Sequence, residues 1–379
     1  MATDRQIYDT HHEQLRDTTR RFFETEVAPH YPDWEEAGHV DREVWRKAGS
    51  MGLLCSMIPE AYGGPGGDPL TASAMLEEQM RLGFPAPGFY THSDIVAPYI
   101  LDFADEALKQ SWLPRMASGD VIAAIAMTEP DTGSDLKAIR TTARRDGNHF
   151  VISGQKTFIT NGHLADMVVV AAKTSAEPGS RNISLFIVDA ATPGFRKGRI
   201  LSKLGQKAQD TAELFFDEVR VPASNMIGRM DEGFGYLMQQ LARERLWVAV
   251  SALGAAKGVL ADAVEYTRGR KVFDGTVFDF QNTQFRLADC KTEISVGEAF
   301  VDRCLAALMA GELTATTAAM AKLWLTEMQA RVVDTCLQFY GGNGYMTEYP
   351  VARAYADARA QRIYGGTNEI MRMLIARSL

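Results

Sequence analysis

The stretch "HFVISGQKTFITNG", residues 149–162, consists of β-branched and aromatic runs that end in a turn. Such runs are typical of β-strands. The same pattern recurs in "DMVVVAAKT" (166–174), "NISLFIVDA" (182–190) and "AELFFDEVRVP" (212–222). Residues 121–228 are therefore predicted to form a β domain in the middle of the chain.

Helical spacing of apolar residues surrounds this region on both sides. It is seen in "EQLRDTTRRFFETEVAP" (13–29) and returns in "LWVAVSALGAAKGVLADAVEYTRGR" (246–270). We therefore predict an α-helical domain over residues 1–120 and a helical bundle over residues 229–379, so that the fold is mainly α with a central β domain. Because no βαβ alternation and no G-x-G-x-x-G after a strand is present, a doubly wound dinucleotide fold is disfavoured.

The composition excludes several classes of protein. The 379 residues are 46% hydrophobic and 23% charged, with a formal net charge of -8, which disfavours binding to nucleic acid. The longest uninterrupted apolar runs fall short of the ~20 residues of a membrane span, so none is expected. The polar N-terminal stretch "MATDRQIYDTHHEQLRDTTRR" lacks an apolar signal region, and a cytoplasmic location is the expectation.

The cysteines and histidines do not predict a metal centre. Cys55, Cys290, Cys304 and Cys336 never approach a C-x-x-C spacing, and the seven histidines show no H-E-x-x-H pattern. Reduced, mostly buried thiols are the simplest interpretation, and no metal is predicted.

A glycine pair near the C-terminus, in "RIYGGTNEIMR" (362–372), leads into a segment with helical spacing. A Gly-rich turn that opens a helix leaves backbone N–H groups free to bind an anion, such as the phosphate of a cofactor. Gly365 and Gly366 are equally compatible with a plain turn or a helix cap.

Five motifs in one order make the pattern specific. They are "AMTEPDTGSD" (126–135), "GQKTFITNG" (154–162), "KLGQKAQDTAELFFDEVRVP" (203–222), "QFYGGNGYMTEYPVAR" (338–353) and "IYGGTNEI" (363–370). Together they strongly resemble the acyl-CoA dehydrogenase family, and the C-terminal motifs look closer to its long-chain branch. The resemblance implies a helical domain, a β-barrel-like domain and a four-helix bundle around FAD, usually in a homotetramer. It also implies an acyl-CoA substrate, a role in fatty acid β-oxidation and electron transfer to an electron-transfer flavoprotein.

The resemblance implies two groups of FAD-binding residues, one of which serves the cofactor of a neighbouring subunit. On the residues alone, the loop 126–135 is equally a Pro-Gly connection between strands. Alternation places Phe158 and Thr160 on one face of a strand, where they suit either a flavin or an ordinary core. The first group is Met127, Thr128, Gly133, Ser134, Phe158, Thr160, Thr367 and Glu369; the second is Arg270, Phe273, Gln281, Gln338, Gly341 and Gly342.

The segment around Arg270 departs from the family pattern. The family commonly has Phe-Gly, whereas Asp274 follows Phe273 here and Gly275 comes one place later. The shape of this turn therefore does not follow from the resemblance, and Arg270 by itself also suits a solvated position beside a helix end.

The position of the catalytic base also differs from many relatives. They carry a Glu where this chain has Gly365, and a glycine cannot accept a proton. The long-chain and isovaleryl-CoA branches instead combine a Glu-Arg-Leu in the bundle with Gly or Ala at the C-terminal position, and this chain has both. We therefore predict Glu244 as the base, although a Glu between two arginines is usually solvated. Apolar neighbours at helical spacing favour a raised pKa for its carboxyl.

The predicted reaction is dehydrogenation of an acyl-CoA thioester to a trans-2-enoyl-CoA. The resemblance implies Ser134, Arg245, Tyr364 and Gly365 as substrate-binding residues. An acyl-CoA oxidase or flavin monooxygenase on the same fold is one alternative. A non-catalytic flavin- or CoA-binding partner subunit is another.

Overall fold

The N-terminal part of the chain is helical. The computed structural model describes residues 5–175 and 182–379. Asp9 and Asp68 each form a capping box that starts a helix, and Pro69 occupies the first turn of the second of these. Two π-helical segments, Phe23–Val27 and Thr91–Val96, interrupt the α-helices. The α-helices are α1 (Thr10–Phe22), α2 (Tyr31–Ala37), α3 (Glu43–Ser50), α4 (Pro69–Arg81), α5 (Ala97–Phe103) and α6 (Glu106–Ala117).

Eight strands form one mixed sheet in the middle of the chain. Its order is β6-β7-β3-β2-β4-β5-β8, with β1 parallel to β4. The long strands β3 and β7 pair antiparallel, with an irregularity between Lys156 and Ile159. The strands are β1 (Ala123–Ala126), β2 (Thr142–Asp146), β3 (His149–Thr160), β4 (Met167–Lys173), β5 (Ile183–Asp189), β6 (Phe195–Ile200), β7 (Thr211–Pro222) and β8 (Met226–Ile227).

Long helices resume after the sheet and pack as a bundle. A short hairpin of β9 (Lys271–Val272) and β10 (Gly275–Thr276) separates the first two bundle helices. The bundle comprises α7 (Gly233–Gly269), α8 (Gln281–Met309), α9 (Ala315–Phe339), α10 (Pro350–Gln361) and α11 (Asn368–Ala376). The predicted fold class, mainly α with a central β domain, is confirmed.

The helix α7 connects the bundle with the N-terminal helices. It is long and apolar enough to cross a membrane by length and composition, but 72% of its most apolar window is buried. Trp247, Val250 and Leu253 are fully buried in a core shared with α4, α8 and α9. A helix that is apolar all round is expected to be buried in this way. The helix α7 is therefore the element that can carry a buried side chain into the centre of the fold.

Candidate active site

Glu244 lies in the buried part of α7. Only 6% of its surface is exposed, and Leu241, Trp247 and Val248 around it on the helix are buried as well. The alternative of a solvated surface Glu is thereby excluded, although the residue stands between two arginines in sequence. A buried carboxylate needs hydrogen bonds or a compensating charge to remain ionised.

Tyr99 supplies such a bond from the N-terminal domain. Its hydroxyl donates to Oε1 of Glu244 over 2.7 Å. Burial raises the pKa of the Glu244 carboxyl, as predicted, while the bond from Tyr99 and the charges of Arg243 and Arg245 oppose that rise. Burial also raises the pKa of Tyr99 well above its ordinary value, so the phenol stays protonated as the donor. The site therefore holds one carboxylate that is poised to accept a proton and is oriented by a tyrosine.

Replacing Tyr99 with Phe is expected to move the acid limb of the pH profile for flavin reduction to higher pH. The hydrogen bond stabilises the ionised form of Glu244, so its removal raises the carboxyl pKa further. Because the base acts only when ionised, the rate should fall as pH drops through that pKa. Tyr355→Phe on α10 is the control, since Tyr355 is half exposed. An acid limb that is unchanged in Tyr99→Phe would contradict the assignment of Glu244 as the group that titrates.

Gly365 lies against the same face of α7. A Cβ built on Gly365 would be 3.5 Å from Cγ2 of Val248, which follows Glu244 by one helical turn. The backbone of Gly365 is left-handed, with φ +66°. Burial raises the pKa of the Tyr90 phenol, and the neighbouring Tyr364, just before Gly365, opposes that rise. The structure thus places the loop of Gly365 against the part of α7 that carries Glu244.

A buried lysine holds the glycine loop in place. Lys322 on α9 is fully buried, and its Nζ donates to the carbonyl of Gly366 (2.9 Å) and to Oδ1 of Asn368 (2.8 Å). Burial lowers the pKa of Lys322 to about 8. The lysine therefore fixes the turn that carries Gly365 relative to the bundle.

Replacing Lys322 with Met is expected to lower the free energy of unfolding by ~1–3 kcal/mol, because the half-buried Gly366 carbonyl and the buried Oδ1 of Asn368 each lose a charged donor. Urea unfolding of the FAD-bound protein measures the change. Lys291→Met on α8 is the matched control, since Lys291 is exposed and should shift the stability by less than ~0.5 kcal/mol. Equal stability of the two variants would show that Lys322 does not anchor the loop.

Arg245 is also buried beside the predicted base. It is 8% exposed, and its Nε has no hydrogen-bond partner within the described part of the chain. Burial lowers the pKa of the guanidinium, which nevertheless remains a cation. An unpaired buried donor next to Glu244 suits a polar group of a ligand. Its predicted role in substrate binding stays a prediction.

Six of the eight residues in the first group of predicted cofactor residues, all except Thr367 and Glu369, belong to β3 or to the segment that follows β1. The Thr157 N–H donates to the Thr128 carbonyl, and Lys156 Nζ donates to the Met127 carbonyl, both over 3.0 Å. These bonds hold the segment after β1 beside Phe158. The Phe158 ring is 67% exposed and its backbone is left-handed, with φ +58°, at the irregularity in the pairing of β3 with β7.

The exposure of Phe158 removes the alternative of a core aromatic. Thr160 is half-buried two residues further along β3. The irregularity in β3 between Lys156 and Ile159, which strand alternation does not predict, interrupts the alternation of faces at Phe158. Gly133 and Ser134 are exposed in the neighbouring loop, and a Cβ on Gly133 would meet no atom within 4 Å.

The sheet end contacts the segment that carries Tyr90. The Asn161 amide donates to the carbonyls of Gly88 (3.1 Å) and Ala123 (3.3 Å), and Gly88 lies close to the start of the π-helical segment. Tyr90 in turn neighbours Tyr364. The segment that carries Tyr90 thus contacts the sheet end and also lies near the loop of Gly365.

The second group of predicted cofactor residues lies at the opposite end of the bundle. Arg270 follows Glu244 by 26 residues and caps α7, which puts it about 39 Å further along the axis. Tyr266 stacks on Tyr340 with the ring centroids 3.9 Å apart, and this contact brings the end of α7 beside the segment 338–342. Arg270, Phe273, Gln281, Gln338, Gly341 and Gly342 are all exposed there.

The turn that departs from the family pattern is a tight hairpin. Gly275 pairs with Val272, so Phe273 and Asp274 form the two-residue connection of β9 and β10. Phe273 adopts φ +48° and is 97% exposed. The glycine displaced by one position therefore starts the second strand and does not occupy the turn.

Thr367 and Glu369 lie at the start of α11. The Thr367 side chain accepts from the N–H of Ile370 as the N-cap, and Glu369 is exposed in the first turn. Both flank the loop of Gly365 and Gly366. The helix cap that was the alternative interpretation of this turn is thus present, and the exposed Glu369 carboxylate forms an ion pair with Arg372 (3.6 Å).

Tyr99 and Lys322 are functional candidates that the sequence interpretation missed. Tyr99 stands in the apolar stretch "VAPYILDF" and has no motif around it. Lys322 carried a weak signal, because it is a single charge within the apolar stretch "AAMAKLWL". A lone buried lysine of this kind requires a partner, which only the packing of α9 against the glycine loop identifies.

Comparisons with known proteins agree with this geometry. Residues 9–120 match the family description "Acyl-CoA dehydrogenase, N-terminal domain", residues 124–219 the middle domain and residues 231–379 the C-terminal domain. The chain therefore belongs to the acyl-CoA dehydrogenase family. Among curated proteins, it is 49% identical to the mitochondrial long-chain specific acyl-CoA dehydrogenase of Sus scrofa, with 99% of this chain and 88% of that protein covered.

Solved structures show the same likeness. An acyl-CoA dehydrogenase from Geobacillus kaustophilus superposes with a TM-score of 0.96 at 47% identity, and 99% of each chain is covered. A glutaryl-CoA dehydrogenase from Mycobacterium smegmatis in complex with FADH2 has a TM-score of 0.93 at 30% identity, with 99% of this chain and 96% of that one covered.

The residues of this chain fit FAD, the cofactor of the family. An aromatic ring stands exposed at the sheet end, where a flavin can stack on Phe158. At the far end, Cβ atoms built on Gly341 and Gly342 would meet no atom within 4 Å, so a ligand can approach the backbone closely. Arg270 at that end has the charge and geometry to bind a pyrophosphate.

Proposed function

We propose that this chain dehydrogenates a fatty acyl-CoA thioester to the trans-2-enoyl-CoA, with Glu244 as the catalytic base. The observation that carries the proposal is a buried carboxylate that is oriented by Tyr99 and lies beside the loop of Gly365. An α-proton of a thioester is only weakly acidic, so its removal needs a base that is positioned and shielded from water. Glu244 meets both requirements.

The chain's own residues hold the substrate and take the proton. Glu244 accepts the proton from the α-carbon, and its carboxyl remains hydrogen-bonded to Tyr99 in the process. The small Gly365 leaves room beside Val248 for the thioester to approach the carboxylate. Bound FAD would supply the acceptor for the hydride of the β-carbon. Burial of Trp247 and Val248 around the base excludes water, which strengthens each electrostatic contact.

The experiment that tests this function is anaerobic mixing of the FAD-bound protein with saturated acyl-CoAs. Loss of the oxidised flavin absorbance together with formation of an enoyl-CoA is the expected result. Turnover that consumes dioxygen would indicate an oxidase or monooxygenase. Flavin that stays oxidised with all acyl-CoAs would indicate a non-catalytic binding subunit.

We further propose that the active assembly is a homotetramer in which each FAD site uses two chains. The Arg270 end of α7 is about 39 Å from Glu244. The Arg270 of one chain therefore does not reach a flavin that is bound beside Glu244 of the same chain. That end also exposes Phe273 (97%), Tyr345 (84%) and Met346 (46%). Exposed aromatic and methionine side chains of this kind are typical of an interface with another subunit.

The proposed electron acceptor is an electron-transfer flavoprotein, as is usual in the family. Support comes from the family membership and from the exposed Phe158, which indicates that the flavin binds at an open sheet end. Reduction of a purified electron-transfer flavoprotein during turnover with acyl-CoA is the test. An enzyme that reduces its own flavin but transfers no electrons to that protein would contradict this partner.

A further inference from the structure

A buried ion pair lies just before the exposed Phe158 on β3. Lys156 is 1% exposed and Glu129 is 5% exposed, and Nζ of Lys156 donates to Oε1 of Glu129 over 2.9 Å. Phe158 follows Lys156 by two residues. Burying two charges costs about as much free energy as their attraction returns, so stability alone gives little reason for such a pair. Its position beside predicted cofactor residues indicates a role toward the cofactor.

Lys156 also binds the backbone of the segment that follows β1. Its Nζ donates to the Met127 carbonyl over 3.0 Å, and the N–H of the next residue, Thr157, donates to the Thr128 carbonyl over 3.0 Å. Two successive residues of β3 thus hold two successive carbonyls of this segment. Met127 and Thr128 are half-buried and belong to the first group of predicted FAD-binding residues. The lysine therefore fixes backbone that is predicted to contact FAD.

Glu129 holds the following loop and keeps the lysine charged. Its carboxylate accepts from the backbone N–H groups of Arg140 and Thr141, and its own backbone exchanges two hydrogen bonds with Thr132. Burial raises the pKa of Glu129, but Lys156 and these bonds outweigh burial, so that the pKa is lowered. Burial lowers the pKa of Lys156 to about 8, and Glu129 opposes that fall. Both side chains are therefore ionised at pH 7.

The bond from Lys156 to Met127 orients the next peptide N–H. The carbonyl and the N–H of a planar trans peptide point in opposite directions, so the Thr128 N–H points away from Lys156. An ammonium bound to the carbonyl polarises this peptide and makes its N–H a stronger donor. Reduction adds negative charge to a flavin, and positive charge beside the ring favours the reduced form.

We propose that Lys156 is a positioning residue for FAD, which holds the Met127–Thr128 peptide with its N–H toward the cofactor and makes the bound flavin easier to reduce. This inference rests on the FAD-dependent function proposed above and adds the charged group that acts on the cofactor. Glu129 fixes the ammonium in place, and its opposite charge limits the effect of the lysine on the flavin.

Two variants test the proposal, Lys156→Met and the double variant Lys156→Met/Glu129→Gln. Both should bind FAD about 10-fold more weakly, because the Met127 carbonyl loses its donor. In Lys156→Met the remaining carboxylate should lower the equilibrium constant for two-electron reduction of the flavin about 10-fold, or about 30 mV. The double variant lacks that negative charge and should recover part of this shift. Arg220→Met/Asp146→Asn is the control, since this ion pair on the same sheet is exposed.

Titration of the apoprotein with FAD gives the affinity, and spectroelectrochemical titration of the FAD-bound protein at pH 7 gives the potential. A double variant with the wild-type affinity for FAD would overturn the positioning role, and this comparison decides even when Lys156→Met does not fold. A flavin that is at least as hard to reduce in the double variant as in Lys156→Met would show that lost packing, and not charge, causes the shift. Neither measurement uses acyl-CoA, so both are independent of whether Glu244 is the base.

Discussion

Replacing Glu244 with Gln is expected to slow reduction of the bound flavin by acyl-CoA about 100-fold or more, since it removes the general base. Gln has nearly the size of Glu and can still accept from the Tyr99 hydroxyl, so the fold and the binding of FAD should be retained. Stopped-flow absorbance of the anaerobic enzyme gives the rate. Glu348→Gln is the control, since Glu348 is exposed in the loop before α10.

A carboxylate introduced at position 365 tests whether a base can act from that side of the site. Gly365→Glu in the Glu244→Gln background should recover part of the rate, because the built Cβ has ordinary contact with Val248, one helical turn from Glu244. Recovery should be incomplete, since the left-handed backbone at φ +66° costs a non-glycine residue ~1–3 kcal/mol. A Glu244→Gln enzyme that reduces its flavin at nearly the wild-type rate would show that Glu244 is not the base.

Replacing Arg270 with Ala is expected to weaken the retention of FAD by about 10-fold to 100-fold, because one charge-assisted hydrogen bond worth ~1.5–3 kcal/mol is lost. Glu244 is about 39 Å away on the same helix, so its own surroundings should be unchanged. Titration of the apoprotein with FAD measures the affinity. Arg303→Ala on α8 is the control, because Arg303 is exposed and outside both groups of predicted cofactor residues.

Assemblies that contain two different variants show whether each FAD site uses residues of one chain or of two chains. When Glu244→Gln and Arg270→Ala chains are co-expressed with different tags and purified through both, about a quarter of the sites should combine an intact Glu244 with an intact Arg270. These assemblies should bind FAD and reduce it faster than either variant alone at low FAD concentration. Activity no higher than the mean of the two parents would contradict a shared site.

The order of the domains was predictable from local patterns. Strand-like runs between 121 and 228 and helical spacing on both sides depend on neighbours within a few residues of each other, and such periodicity survives in the folded state. The proposal of Glu244 as the base was also accessible, because the Glu-Arg-Leu in the bundle and Gly365 at the C-terminal position occur together in one chain. What the sequence left open was whether Glu244 is solvated.

Burial was decided by tertiary structure. The charges of Arg243 and Arg245 on either side of Glu244 favour a surface position in local terms, yet the packing of α7 in the core leaves the carboxylate 6% exposed. The hydroxyl that orients it belongs to Tyr99, 145 residues earlier in the chain. No local pattern links two such residues, since their contact exists only after α5 and α7 have packed together.

The predicted cofactor residues on β3 also depend on tertiary contacts for their exposure. Resemblance named Phe158 and Thr160, and alternation placed them on one side of β3, but the bulge that exposes Phe158 arises from pairing with β7, about 55 residues later. The sequence by itself determined the domain order, the family and the residue types at the site. Tertiary structure alone decided which of them are buried and which partners they meet, because burial and long-range contacts are properties of packed elements and not of neighbouring residues.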